Sequence, residues 1–326
     1  MQISVLIPTY NRLKLVDEAI ERLLSYDDIS VKEVIVSDNH SSDGTVEFLL
    51  SKYSGETKIR IVSPSLAGGP LLNWKFCLSQ ASGSHVHWHW SDDLLSSNFY
   101  RNARILSDKS GCNVIGAPAR IQHDDGFSPV FYSQEFCRSL KSNEFLGKMF
   151  GKEKVSYSPA SYILPRESVL RHFYDDLPTI GDLNPLPIAM GPDALMIAGA
   201  VLDSQEIGFL DEPAMVFRKH EGSITEQNIE NFRCYFLAFA FFQKIHSLNL
   251  FDLKTQAEKY GFDIIKHFYP AFTMGLSNSE MYKKLEHDVC VLERDLSILK
   301  HDLSIIEKSL WVRIGKKCGL VRKSTP

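Results

Sequence analysis

The 326-residue chain lacks any Cys-x-x-Cys pair. Its six cysteines (Cys77, Cys112, Cys137, Cys234, Cys290 and Cys318) stand far apart. That spacing suggests neither a zinc cluster nor a disulfide framework, and it suits a reducing cytosol. No apolar run approaches the roughly 20 residues a membrane-spanning helix requires. The opening MQISVLIPTY has no basic segment leading into a long apolar stretch, so no signal peptide is expected. There is no excess of positive charge. The formal net charge is −4, without the basic footprint of a nucleic-acid binder, and nucleic acid is not an expected partner. Neither GxGxxG nor GxxxxGK[ST] occurs, which argues against a dinucleotide or P-loop site.

The first 120 or so residues instead alternate β-branched runs with helical patterns, as in a parallel α/β sheet. ISVLIP, VKEVIVSD, KIRIV, HVHWHW and CNVIGAP read as successive strands. Helices are expected at 13–26, with Leu15, Ile20, Leu23 and Leu24 facing inward, and at 45–53 and 71–81. HDDG at 123–126 signals a hairpin turn. GPDALMIAGAVL (191–202) reads as a helix, followed by a strand pair, EIGFL and AMVFRKH. The aromatic run FRCYFLAFAFFQKI (232–245) reads as a helix buried in the core.

Nearer the C-terminus, Leu285, Val289, Leu292, Leu296, Leu299, Leu303, Ile306 and Leu310 alternate spacings of four and three. This is an a/d heptad series, the pattern of a coiled coil that pairs with copies of itself or a partner. After it come Trp311, Val312, Ile314, Leu320 and Val321 among Arg313, Lys316, Lys317, Arg322 and Lys323. Apolar groups interleaved with cations suit an interfacial segment on anionic lipid.

In an open parallel sheet, ligands bind beyond the carboxyl ends of the strands. Those ends carry PTYNR (8–12), SDNHSSDGT (37–45) and SDD (91–93), rich in Asp, Asn and Thr. Adjacent carboxylates suit a hard cation, Mg²⁺ or Mn²⁺, shared with substrate phosphates. A second candidate lies just before them. His85, His87 and His89 share one strand face and could form a metal comb, although buried, hydrogen-bonded histidines are the simpler reading for His85 and His87. Each acidic residue also has a plain structural alternative. Asp92–Asp93 can cap the next helix, Asp38 can form a turn, and Asp193 can stabilise the first turn of its helix.

ISVLIPTYNR, VSDNHSSDGT, AGGPLLNWKFCLSQASG and the strand ending in SDD, in that order, resemble the family 2 glycosyltransferases. GPD (191–193) and FRKHEGSIT (217–225) extend the resemblance to about residue 225. It implies a GT-A fold, α/β with a mostly parallel sheet flanked by helices, and inverting transfer of a sugar from a nucleotide-sugar, UDP-sugar favoured. The acceptor would be a hydroxyl of a glycan, lipid-linked in the common case of bacterial surface polysaccharide synthesis. Position by position, Pro8, Thr9, Tyr10, Arg12, Asn73 and Asp92 would line the donor site, with Asp38 facing the base. Asp93 and His220 would contact the cation, and Asp193 would be the general base. Asp182 competes for that role, and Asp176 does so more distantly. Two positions depart from the family pattern: its usual Asp-Asp is Ser37–Asp38, and its acidic residue before the base is Pro192.

The organisation implied is a catalytic domain (1–225), a helical region packing on it (226–277), a coiled coil (278–310) that makes a homo-oligomer, and a basic tail (311–326). Such a protein would be cytoplasmic, resting on the inner face of the cell membrane. A sugar-1-phosphate nucleotidyltransferase and a catalytically silent coiled-coil scaffold are the alternatives.

Overall fold

A computed structural model describes residues 1–26, 28–123, 126–127, 139–150, 155–177, 184–218 and 233–248. The coiled coil, the basic tail, His220 and Asp182 lie outside the described residues. All the secondary structure described belongs to a unit formed by Met1–Pro178 and Pro185–Phe251, while Thr179–Asn184 and Asp252–Pro326 make a second unit.

Four parallel strands form one half of the larger sheet: β1 (Ile3–Thr9), β2 (Val31–Asp38), β3 (Ile59–Val62) and β4 (His85–Trp88). Their order is β3-β2-β1-β4. All seven residues of β1 are buried, so both of its faces are covered and no polar alternation is needed. Helices α1 (Leu13–Tyr26), α2 (Thr45–Lys52) and α3 (Gly69–Ser79) follow the first three strands. The buried stripe of α1 is Val16, Ala19, Ile20 and Leu23, at helical spacing. It is therefore rotated from the expected one, with Leu15 and Leu24 at its margins.

The sheet then changes direction. After β5 (Leu94–Leu95), α4 (Phe99–Ser110) and β6 (Val114–Gly116), the chain forms β7 (Ala119–His123) and β8 (Gly126–Phe127). These two pair antiparallel with His123 opposite Gly126, the hairpin HDDG signals. β9 (Ser139–Lys141), α5 (Ser142–Phe150) and a short 3-10 turn (Pro159–Ser161) lead to β10 (Tyr162–Pro165). β10 inserts antiparallel between β4 and β6, which makes the eight-stranded sheet mixed. Next come α6 (Arg166–Arg171), α7 (Pro192–Leu202), β11 (Glu206–Phe209), β12 (Met215–Arg218) and α8 (Arg233–Ile245). The expected pairing of the last two strands does not occur. β11 joins the large sheet beside β6, and β12 joins a second sheet in the order β5-β12-β7-β8. α8 buries Cys234, Tyr235, Ala238, Phe239 and Phe242, the core placement the aromatic run implies.

Candidate active site

Thr9 and Asp38 are register partners at the ends of β1 and β2, so the two loops leave the sheet side by side. Asn39 N–H donates to the Thr9 carbonyl at 3.0 Å. Asn11 then ties the loops together, its N–H donating to Ser41 Oγ (2.7 Å) and its Oδ1 accepting from Ser42 N–H (2.7 Å). Asn11 has φ of +50°, a left-handed conformation that asparagine tolerates better than most residues. Asp38 is fully buried and accepts from both the N–H and the hydroxyl of Ser41. Asn73, on α3, is buried and bonds Ser37 twice: its Oδ1 accepts from Ser37 Oγ (2.6 Å) and its Nδ2 donates to the Ser37 carbonyl (2.9 Å). Thr9 Oγ1 is buried without a hydrogen-bond partner among the described residues, an unusual state for a hydroxyl in a protein interior. Pro8 is buried below these loops, and Tyr10 stands 55% exposed above them.

The acidic pair follows β4. Arg12, from the loop after β1, is ion-paired with Asp92. From β12, Arg218 contributes three contacts. Its N–H donates to Asp93 Oδ1 (3.1 Å), its Nε donates to the Asp92 carbonyl, and its Nη1 reaches Glu18 Oε2 at 2.8 Å. Asp93 is only 5% exposed; burial, then the neighbouring Asp92, holds its proton affinity well above the usual carboxylate range, against the Arg218 N–H and guanidinium. A buried carboxylate of this kind needs added positive charge to stay ionised. Two hard oxygen donors, one of them short of compensating charge, fit a divalent cation. Among the described residues no three His, Cys, Asp or Glu side chains are grouped to hold a metal ion. Sequence reading missed Arg218 because 125 residues separate it from Asp93; its place within FRKH was the available signal.

His87 is fully buried with both ring nitrogens bonded, Nδ1 to Tyr100 Oη and Nε2 to the Ala160 carbonyl, each at 2.9 Å. A carbonyl only accepts, so Nε2 carries the proton and Nδ1 accepts from the phenol. Burial pushes its pKa down to about 4, and that of His85, at the far end of the strand, also to about 4. His89 is buried with its pKa pushed down to about 3 by burial and by neighbouring His87, and its Nδ1 has no partner among the described residues. His87 therefore has no nitrogen left for a metal. It anchors β4 to α4 and to the 3-10 turn.

A line of contacts runs from the acidic pair toward Asp193. Trp90 packs on Trp74 (ring centroids 4.8 Å apart) and donates from Nε1 to Ser158 Oγ at 2.8 Å. Ser158 caps the 3-10 turn, which packs against α7. Asp193 is in the first turn of α7 and is 9% exposed. Its Oδ1 accepts from Gly191 N–H and Ala194 N–H, both at 2.8 Å, and its Oδ2 accepts from the Tyr235 hydroxyl at 2.7 Å. Burial raises its pKa to about 7 against the pull of these donors. Asp176, the more distant alternative, is exposed.

The comparisons with known proteins bear on family and fold. The family model described as Glycosyl transferase family 2 matches residues 4–173, just over half of the chain. GlyG, a glycosyltransferase of Streptococcus pneumoniae serotype 4, is 23% identical over 299 residues, covering 88% of this chain and 93% of GlyG. A GalNAc(5)-diNAcBac-PP-undecaprenol beta-1,3-glucosyltransferase of Campylobacter jejuni is 27% identical over 182 residues, 55% of this chain and 58% of that protein. Among solved structures, Staphylococcus aureus TarS 1–349 in complex with UDP-GlcNAc superposes with a TM-score of 0.59 at 21% identity, covering 86% of this chain and 78% of that one. This likeness concerns the fold and supports the expected GT-A architecture. Because the family match spans the strand ends that carry Thr9, Asp38 and the acidic pair, the chain belongs to glycosyl transferase family 2.

Proposed function

We propose that this glycosyltransferase moves a hexosyl group from a UDP-sugar to a hydroxyl of a glycan acceptor, with inversion at the anomeric carbon. One observation carries the reading. The buried Asp93 and its neighbour Asp92 sit between Arg12 and Arg218 at the carboxyl end of β4. Asp38 and Thr9 Oγ1 would meet the nucleoside, with Pro8 and Tyr10 walling the same recess. Asn73 acts one step back, holding Ser37 and hence the end of β2. Arg12, Arg218 and Asp92 would position the diphosphate and its sugar. Glycosyltransferases of this family generally use a divalent cation. Here Asp93 would hold Mn²⁺ or Mg²⁺, with His220 expected from sequence to join it. Such an ion, when bound, offsets the charge that grows on the departing diphosphate.

Asp193 is the general base. Its carboxylate takes the acceptor's proton while the acceptor oxygen bonds to the anomeric carbon and the bond to UDP breaks. A pKa of about 7 matches a base working near neutrality. Family membership favours glycosyl transfer over the nucleotidyltransferase and silent-scaffold alternatives. The named activity of the Campylobacter relative, on an undecaprenol-linked glycan, supports a lipid-linked acceptor in surface glycan synthesis. A coiled-coil homo-oligomer with a basic tail on the inner face of the membrane would keep the enzyme beside such an acceptor. Among the described residues no helix is long and apolar enough to cross a membrane.

The test is a thermal-shift panel of UDP-, dTDP- and GDP-sugars with and without Mn²⁺, on the wild type and on Asp93→Ala. A UDP-sugar should stabilise the wild type in a Mn²⁺-dependent way through linkage. The variant should fold, lose that dependence and lose turnover. Near-normal turnover of Asp93→Ala with Mn²⁺ would refute the assignment.

A further inference from the structure

Asp193 has two oxygens with different surroundings. Oδ1 already accepts two backbone N–H groups, which fill its two lone-pair directions. Among the described residues, Oδ2 accepts one hydrogen bond, from the Tyr235 hydroxyl. Tyr235 belongs to α8, beyond the stretch that matches the family model. Its ring is fixed from two sides, by Tyr157 (centroids 5.1 Å apart) and by Phe239 (6.3 Å). Tyr157 is held in turn by its hydroxyl, which donates to the Met149 carbonyl at 3.2 Å. α8 also sits directly on the turn that presents Asp193. Gly191 has φ of +107°, and a Cβ there would lie 2.7 Å from Ala238 Cβ and 3.1 Å from the Cys234 carbonyl oxygen.

From this geometry we infer that Tyr235 is a positioning residue for the general base: it fixes Oδ2 as the oxygen that receives the acceptor's proton. The inference rests on Asp193 being the base. In the transfer step the acceptor O–H proton moves to the remaining lone pair of Oδ2. The acceptor oxygen bonds to the anomeric carbon, and the bond from that carbon to the diphosphate oxygen breaks with its electron pair leaving on UDP. Asp193 then releases the proton to water. Throughout, Tyr235 remains a donor, because burial and the adjacent Asp193 raise its own pKa far above neutrality. By donating to the ionised carboxylate, the phenol opposes the upward pull of burial on Asp193.

Among the described residues, few other groups can set that balance. Cys234 and Tyr235 come from α8, with Tyr157 beside them, and Tyr162 comes from β10. On α5 and α6, Glu144, Glu167 and Arg171 are exposed and Lys148 and Arg166 are half-buried. His172 pairs with Asp203 at the opposite end of α7. Sequence reading placed Tyr235 in an apolar core. The signal it overlooked is that a buried phenol among phenylalanines needs a hydrogen-bond partner.

Tyr235→Phe keeps the ring packing and removes only the hydroxyl. The full-length chain, labelled with ¹³C at aspartate carboxyls, is titrated as wild type, Tyr235→Phe and Asp193→Asn; the last identifies the Asp193 signal by its absence. The wild-type midpoint should lie near 7, and that of Tyr235→Phe about one pH unit higher. In parallel, UDP release from UDP-glucose, UDP-galactose and UDP-N-acetylglucosamine is followed against pH. Tyr235→Phe should lose about 5-fold in kcat at pH 7, recover most of it by pH 9, and keep its donor KM. A purely structural tyrosine would leave the midpoint where it is. An inactive Asp193→Asn together with an unchanged Tyr235→Phe midpoint overturns the role of Tyr235 and leaves the base intact. An Asp193→Asn that still releases UDP at the wild-type rate overturns the base itself, and this inference with it.

Discussion

Asp193→Asn should abolish transfer and, above neutral pH, make the protein more stable. The substituted amide fits the site: Oδ1 still accepts from Gly191 and Ala194 N–H, and the new NH₂ donates to the Tyr235 oxygen, which can accept. What disappears is an ionisation the fold opposes, since burial raises this carboxyl from 3.8 to about 7. The folded protein binds the proton more tightly than the unfolded chain does. The stabilisation from that tight binding is complete below 3.8 and is lost as the pH rises through about 7. At 1.36 kcal/mol per unit, wild type should lose about 2–3 kcal/mol between pH 5 and pH 8 from this group alone, and the variant nothing. Urea melts across that range, followed by tryptophan fluorescence, read the difference directly. Trp74, Trp88 and Trp90 lie in the unit that contains Asp193. Any constant cost of the substitution cancels in the comparison of slopes. Parallel pH dependences for the two chains would refute a strained, buried base. Turnover should fall by about 10²–10⁴-fold, the usual cost of losing a general base.

Other perturbations separate structure from chemistry. His87→Gln should cost about 1–3 kcal/mol, because a glutamine amide, though it has a donor and an acceptor, does not set them where the two ring nitrogens meet Tyr100 and the Ala160 carbonyl. Calorimetric UDP affinity with Mn²⁺ should stay the same, and a large loss of metal dependence would revive the histidine comb. Gly191→Ala combines a disfavoured φ with a clash against α8, so urea melts should show a loss of at least about 1–3 kcal/mol, with a fall in kcat. A wild-type melt would show that α8 does not press on that turn. Truncation at Asn278 should reduce the mass seen by light scattering and the co-sedimentation with anionic vesicles. An unchanged oligomer would exclude the heptads as its cause, and undiminished binding would exclude the tail as the anchor.

β1, β2 and β4 were legible because ISVLIP, VKEVIV and HVHWHW are short runs rich in β-branched and aromatic residues, largely buried on both faces and bounded by polar turns. The polar loops of the candidate site were legible for a related reason, since strand ends in a parallel sheet collect ligands. β10 was not, because YILP is short and follows a stretch with no periodicity. Its antiparallel insertion depends on open edges of β4 and β6 that no local pattern announces. The separation of β11 from β12 escaped for the same reason, as each strand is set by partners far away in the chain. Within the site, Asp92 and Asp93 declared themselves as a pair. Arg218 and Tyr235 did not, because each gains its meaning from a residue 125 or 42 positions earlier.

The two-residue strand β5 has a consequence for the newly made chain. It directly follows Asp93 and, among the described residues, is paired only by β12, with Leu94 opposite Val216 and Leu95 opposite Met215. That pairing brings the Arg218 amide to Asp93. A nascent polypeptide that has emerged through residue 173 holds β1 to β4 and can pair Arg12 with Asp92, yet Asp93 still lacks the Arg218 amide. Closing so long a loop is slow relative to local folding. The growing chain thus holds its first four strands well before the residue that braces Asp93.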